Sequence, residues 1–268
     1  MNVRTIWANF VAIYRKELQG YFATSLNYVI AGVYWFVAGV FYIILFNAVQ
    51  ANVAAQDLQG QAGLGAPPVD VPAVILENYL GVLGSLSLFV LPLLSMNLFA
   101  QERQQGTLEL LATSPITTTM VAIGKLAGVL TFFITLLLPI LFYESLTLLQ
   151  SEPPFSFGLI LLGHGALVLL AAAILSLGLF ISATTESTLL AAVGTFGLIL
   201  LLWILQAIAD RTGGWLANIL RHFSLLQNYT SLIQGSVSST SIVVFLSYVV
   251  LGLFLTVQWV DGLRFQRA

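Results

Sequence analysis

The sequence predicts an all-α membrane protein with six spanning helices. Three observations lead there. Only 7% of the 268 residues are charged and 59% are hydrophobic, with a mean hydropathy of +0.97. Soluble domains carry about 25% charged residues, so there is too little charge here to cover a water-facing surface. The apolar residues gather in six long runs, near 28–49, 80–100, 121–149, 158–181, 189–208 and 242–260. A helix needs roughly 20 apolar residues to cross a hydrocarbon core about 30 Å thick, and each run is close to that length. The runs lack period-2 alternation and are too long for the strands of a barrel.

Composition also excludes some functions. A net charge of −2 gives no basic face for nucleic acid. The absence of Cys removes disulfides, thiolate catalysis and Cys-ligated metals. The two histidines, His164 and His222, lie far apart in sequence, and no metalloprotease motif surrounds either. Gly124-Lys125 is followed by Leu126 and lacks the upstream Gly of a phosphate-binding loop. Gly84-Ser85 and Gly235-Ser236 do not form the G-x-S-x-G turn of a serine hydrolase.

The leader, residues 1–25, places Val3, Ile6, Trp7, Phe10, Ile13, Tyr14, Leu18, Tyr21 and Phe22 at three- to four-residue steps. Asn2, Thr5, Asn9, Lys16 and Gln19 fall on the other face. Basic and aromatic residues in such a pattern suit a helix lying along the inner membrane surface. The first run, 28–49, is too long for a cleavable signal and follows this polar leader. Residues 51–79 are rich in Ala, Gly and Pro without periodicity, and read as a mobile external loop. The second run, 80–100, holds Pro92, and the third, 121–149, holds Pro139, each a cause for a bend. The third opens with GKLAG, where Gly124 and Gly128 allow a close helix approach. The turn SATTES, 182–187, joins the fourth run, 158–181, to the fifth, 189–208, and its hydroxyls can cap helix ends.

In the 209–241 segment Trp215, Leu216, Ile219, Leu220, Phe223 and Leu226 form a helical stripe, extended by Tyr229 and Ile233 past a break. Such a stripe cannot stand in water, and short helices dipping into the outer leaflet are expected. The sixth run, 242–260, closes the set.

Basic residues set the orientation. With both ends inside, Arg4, Arg15, Lys16, Arg103, Lys125, Arg264 and Arg267 are cytoplasmic, seven of the nine Lys and Arg. The reverse orientation leaves only Arg211 and Arg221 inside. The expected location is the inner (plasma) membrane, multi-pass, with both termini cytoplasmic. Ionisable residues are scarce within the runs. Glu144 is expected at a wet headgroup position, Lys125 to snorkel from the inner end, and His164 to make a helix-packing hydrogen bond. No carrier for an ion gradient stands out, so any energy must come from a partner.

Between the second and third runs lies QERQQGTLELLATSPI, residues 101–116, on the cytoplasmic side of this topology. It fits a short helix broken or capped at Gly106. Thr107 suits an N-cap, and Glu109 then falls in a first turn where the helix dipole favours acid. Leu108, Leu110 and Leu111 give that turn an apolar side, and Pro115 stops it. A short amphipathic helix on the cytoplasmic face is a docking knob.

This stretch resembles the signature of ABC-2-type transporter permeases. The likeness is carried by Glu102, Gly106, Thr107, Glu109, Leu110, Leu111, Thr113, Ser114, Pro115 and Ile116, followed by Gly124-Lys125. RKELQGYFATSLNYV, ISATTESTLLAAVGTF and HFSLLQNYTSLIQGSVSSTSIVVFLSY resemble that family's entry helix, its turn between spans four and five, and its C-terminal segment. Within the family the chain looks most like gliding-motility-type and copper-processing-type permeases.

The resemblance implies a single transmembrane domain, 1–268, of the type V exporter kind. Two such permeases, alike or different, would pair, and each pair would sit on two ATPase subunits that alone bind ATP and Mg and hydrolyse the nucleotide. The chain itself would be no enzyme and hold no cofactor. Residues 101–116 would be its coupling helix, with Glu102, Arg103, Gly106, Thr107, Glu109, Leu110, Leu111 and Pro115 as the contact residues. Arg103 and Glu109 would pair with charges on the ATPase while the leucines fill a pocket. The 209–241 region would match outer re-entrant helices. Two other readings stay open: a subunit transmitting force to an external or membrane partner protein without moving solute, and a stand-alone carrier or channel. The substrate is not legible.

Overall fold

The computed structural model describes residues 3–61, 70–107, 117–152, 155–211, 214–215, 221–236 and 238–265. Among the described residues all regular structure is helical. The helices are α1 (Val3–Ala23), α2 (Ser25–Gln61), α3 (Val71–Ser95), α4 (Ala100–Gln104) and α5 (Thr118–Leu148), followed by α6 (Phe157–Thr184), α7 (Thr188–Arg211), α8 (Leu225–Ile233) and α9 (Ser239–Phe265). Six stretches are long and apolar enough to cross a membrane: Ser25–Gln56, Val71–Gln104, Thr118–Leu148, Phe157–Thr184, Thr188–Ile208 and Ser239–Leu263. The chain is a multi-pass helical membrane protein.

Helix α6 is the central post. In its most apolar stretch 78% of residues are buried, against 24% for α7. Small residues explain why it tolerates neighbours on every side. Gly163, Ala166, Ala171, Ala173, Ser176, Gly178 and Ala183 are buried along it, and small side chains let backbones approach where the surrounding lipid gives no hydrophobic drive to pack. Helices α3, α5, α7, α8 and α9 all pack on α6, with α9 making the most extensive contact. Ser176 Oγ donates to Tyr248 O of α9 at 3.2 Å. Helices α2, α7 and α9 each keep an outward apolar face, including Phe36, Leu189 and Val250, which are 73%, 70% and 65% exposed. In a bilayer those faces meet acyl chains.

The 51–79 stretch departs from its reading as a loop. Helix α2 runs on to Gln61, and α3 begins at Val71. Ala, Gln and Leu in NAVQANVAAQDLQGQ are good helix formers, and a helix leaving the bilayer needs no apolar periodicity to continue. Asp70 caps α3, accepting from Ala73 N at 3.2 Å, and Pro72 sits in the first turn, where its missing N–H costs nothing. The helix therefore starts nine residues before the apolar run at 80.

Helix α1 is separated from α2 at Thr24 and packs mainly on α5. The two glycines of GKLAG make this possible. A Cβ at Gly124 would lie 2.8 Å from Ile13 Cγ2, and one at Gly128 would lie 2.8 Å from Glu17 Cβ. Ile6, Phe10, Ile13, Tyr14, Leu18 and Tyr21 turn inward to varying degrees, whereas Trp7 is 66% exposed.

Two intramembrane expectations are corrected. Glu144 is not at a wet position: it is fully buried in α5 and faces His164 of α6. Lys125 does not snorkel to water: it is buried and engaged by two carboxylates. In both cases tertiary packing supplies a partner that hydropathy cannot show.

Of the 209–241 region, α8 is described in full. It starts after Ser224, whose Oγ accepts from Gln227 N at 3.2 Å, so the break falls before Leu226 rather than after it. Its inward face is Leu225, Asn228, Tyr229, Leu232 and Ile233, and Tyr229 donates to Leu80 O of α3 at 2.6 Å.

Candidate functional site

The polar segment after the second span is built into one end of the bundle. After α3 ends at Ser95, residues 96–99 turn the chain and α4 starts at Ala100. Phe99 occupies the N-cap position and offers no capping side chain. Ser182, near the end of α6, does the capping from outside. Its Oγ accepts from Phe99 N and Ala100 N, both at 3.0 Å, and donates to Met96 O at 2.9 Å. The hydroxyls of SATTES were expected to cap helix ends; this one caps α4 as a tertiary partner. Helix α4 then ends at Gly106, whose φ of +70° is the left-handed conformation glycine adopts without strain. Gly106 N donates to Arg103 O at 3.1 Å and Thr107 N to Glu102 O at 2.9 Å, the paired bonds of a Schellman stop.

Four charges converge around α4. Glu102 Oε1 lies 3.2 Å from Lys16 Nζ of α1 and 3.0 Å from Lys125 Nζ of α5. Lys125 Nζ also lies 2.8 Å from Glu17 Oε1 of α1, and sits 5.1 Å from the centre of the Phe99 ring. Two lysines and two glutamates leave the junction neutral. Lys125 is 3% exposed and Lys16 is 70% exposed, so Lys125 is the inner cation and Lys16 a solvated rim. A buried charge set of this kind is weak evidence for stability but fixes geometry at its inner member, because withdrawing Lys125 leaves Glu17 and Glu102 short of their shared cation.

Arg103 extends the junction to the next turn. Its Nη1 donates to Ala183 O at 2.8 Å and its Nη2 to Glu186 Oε1 at 3.1 Å. Thr118, at the start of α5, donates to Asp261 Oδ1 of α9 at 2.5 Å. Tyr21 of α1 donates to Leu94 O of α3 at 2.5 Å. Burial, reinforced by the nearby Glu17 charge, holds the Tyr21 phenol well above its ordinary value of 10.0. Five-residue α4 is thus bonded to α1, α5 and the end of α6. A push on it reaches three helices through contacts of 3.2 Å or less.

The sequence-predicted contact residues divide. Glu102, Arg103, Gly106 and Thr107 are brought together here. Thr107 Oγ1 donates back to Glu102 O at 3.2 Å, closing α4; its expected N-cap role toward the following turn, with Glu109, Leu110, Leu111 and Pro115, lies outside the described residues. Arg103, expected to pair with an ATPase charge, is engaged within the chain. Sequence reading missed Glu17, Lys125 and Ser182 as members. Glu17 was findable: it falls among Ile13, Tyr14, Leu18 and Tyr21, an acid on an apolar face with no stated partner. Among the described residues no three His, Asp or Glu side chains converge as metal ligands.

Neither a scan of protein-family models nor a search of curated proteins finds a match to this chain.

Proposed function

We propose that the chain is the membrane-spanning permease subunit of an ATP-binding-cassette transporter, an exporter, driven by a separate ATPase that docks on residues 101–116. One observation carries the reading: the polar segment between the second and third spans is wired through Glu102 and Arg103 to α1, α5 and the end of α6. A docking knob has mechanical value only if its displacement moves spanning helices, and this one is attached to them directly. On this reading the Lys125 end of the bundle is cytoplasmic, in line with its basic residues. The working unit is a pair of permeases on two ATPase subunits, which hold the ATP and Mg. The resemblance of 101–116 to the ABC-2 signature points the same way.

Co-expression with a candidate ATP-binding-cassette ATPase subunit tests the proposal. Glu109→Ala with Leu110→Ala is expected to lower both complex recovery and stimulated ATP hydrolysis. Wild-type values for both reject the docking role.

A further inference from the structure

Glu144 of α5 and His164 of α6 meet inside the bundle, at the end away from the Lys125 junction. Nineteen residues of helix separate Lys125 from Glu144, about 28 Å at 1.5 Å per residue. Glu144 is 0% exposed and His164 4%. Glu144 Oε2 lies 3.3 Å from His164 Nε2. Among the described residues neither carboxylate oxygen nor Nε2 has a hydrogen-bond partner.

The other ring nitrogen fixes the tautomer. His164 Nδ1 is 3.0 Å from Ile160 O. A carbonyl oxygen only accepts, so Nδ1 carries a hydrogen and donates it. In a neutral ring Nε2 then presents a bare lone pair. Opposite it stands an oxygen of Glu144, which when ionised presents another. Two acceptors this close, both out of water, repel, and the carboxylate charge is uncompensated. One proton placed between them removes both problems: the pair becomes imidazolium with carboxylate, or imidazole with carboxylic acid, neutral in either form.

Among the described residues no Lys or Arg pairs with Glu144. The groups within electrostatic reach of Glu144 are the phenols of Tyr42 on α2, Tyr79 on α3, Tyr143 on α5 and Tyr229 on α8. Their hydroxyls are engaged elsewhere: Tyr42 with Thr147, Tyr79 with Tyr143, and Tyr229 with Leu80 O. Of the other acids at this end, Glu77 accepts from Gln234 Nε2 at 2.7 Å and Glu152 is exposed.

We propose that Glu144 and His164 form an intramembrane proton-binding site, holding one proton between Oε2 and Nε2 at neutral pH, and that loss of this proton loosens α5 from α6. The site is independent of the docking segment. It makes one end of the central helix pair sensitive to pH.

The test uses the full chain in lipid nanodiscs. His222 is exposed, and His222→Gln leaves His164 as the only histidine. Nitrogen-15 NMR of labelled histidine reads the ring, and infrared difference spectroscopy reads the carboxyl. Expected at neutral pH is either an imidazolium without a carboxylic-acid band, or an Nδ1–H imidazole with such a band. In the first case the imidazolium signal must be lost in Glu144→Gln, whose amide can still donate to Nε2; in the second the band must vanish there, or shift in Glu144→Asp should the amide fail to fold. Raising the pH should lower the thermal midpoint more in the wild type than in Glu144→Gln. A neutral imidazole beside an ionised carboxylate at neutral pH overturns the proposal, as does a doubly protonated pair. Equal alkaline loss in wild type and Glu144→Gln overturns the link to helix packing.

Discussion

Replacing Lys125 by Met tests whether the four-charge junction fixes the α1–α4–α5 geometry. Met keeps the length and apolar stem of Lys but removes the ammonium that faces Glu17 at 2.8 Å and Glu102 at 3.0 Å. Removing one partner of a buried ion pair costs about 3–5 kcal/mol, because the other charge stays out of water. The two glutamate side chains retain 14% and 13% exposure, so some water relieves them and the expectation falls near the lower end, about 3 kcal/mol. For domains of 150–250 residues a change of 1 kcal/mol moves the thermal midpoint by about 2–4 °C, giving a loss of roughly 6–12 °C. Lys16→Met is the internal control: its side chain is 70% exposed, and a solvated pair contributes under about 1 kcal/mol. Adding Glu17→Gln to Lys125→Met should restore part of the loss, since one stranded charge is neutralised. The assay is tryptophan fluorescence on heating in nanodiscs, with proteolysis of α1 as a second readout. Equal losses for the two lysine variants, or no loss for Lys125→Met, would refute the reasoning.

Other perturbations act on single contacts. Gly128→Ala sets a Cβ 2.8 Å from Glu17 Cβ and should destabilise α1 packing by about 1–3 kcal/mol, whereas Gly39→Ala, with open space around it, should be neutral or stabilising by up to about 1 kcal/mol; thermal midpoints of the two separate crowding from helix propensity. Ser182→Ala leaves the Phe99 and Ala100 amides without their acceptor and should cost about 1–3 kcal/mol for each buried group stranded, seen as faster proteolysis between residues 96 and 107. Gly106→Val forces a branched residue to φ +70° and should cost about 1–2 kcal/mol, read as weaker ATPase recovery with the rest of the bundle intact. Tyr21 is a buried phenol raised above its ordinary 10.0, so the stability it lends is complete below that pH and is lost as pH rises toward the folded value; Tyr21→Phe should lower stability at neutral pH and flatten the alkaline decline.

Helix-scale architecture was legible because the bilayer imposes a length and an apolar composition on every crossing, as runs such as 158–181 and 242–260 display. The GKLAG glycines pointed to a close neighbour, and α1 is that neighbour. Helix ends outside the hydrocarbon were less legible: 51–61 continues α2 with helix-forming residues but no apolar periodicity, and Asp70 with Pro72 starts α3, yet Ala, Gly and Pro in the same stretch resemble a loop. At the junction, Glu102 and Arg103 stood out as charges between apolar runs, and Gly106 as a helix break. Their partners did not. Lys125 looked like a snorkelling residue and Glu144 like a headgroup contact, because burial of an ionisable group depends on what packs across from it: Glu17 lies on a helix more than a hundred residues away, and the register that sets His164 of the next helix against Glu144 is not written in hydropathy. Ser182 shows the same limit, as a hydroxyl in a turn that caps a helix over eighty residues away.

The central claim is that the 101–116 segment is the contact through which a separate ATPase moves the spanning helices. The chain has no cysteine, so a single Cys at Gln105, which is exposed at the end of α4, can be labelled with a membrane-impermeant thiol reagent in oriented vesicles. The account predicts labelling from the side that receives ATP and protection once the ATPase is added. Labelling only from the opposite side, or an unchanged rate with the ATPase bound, would contradict it.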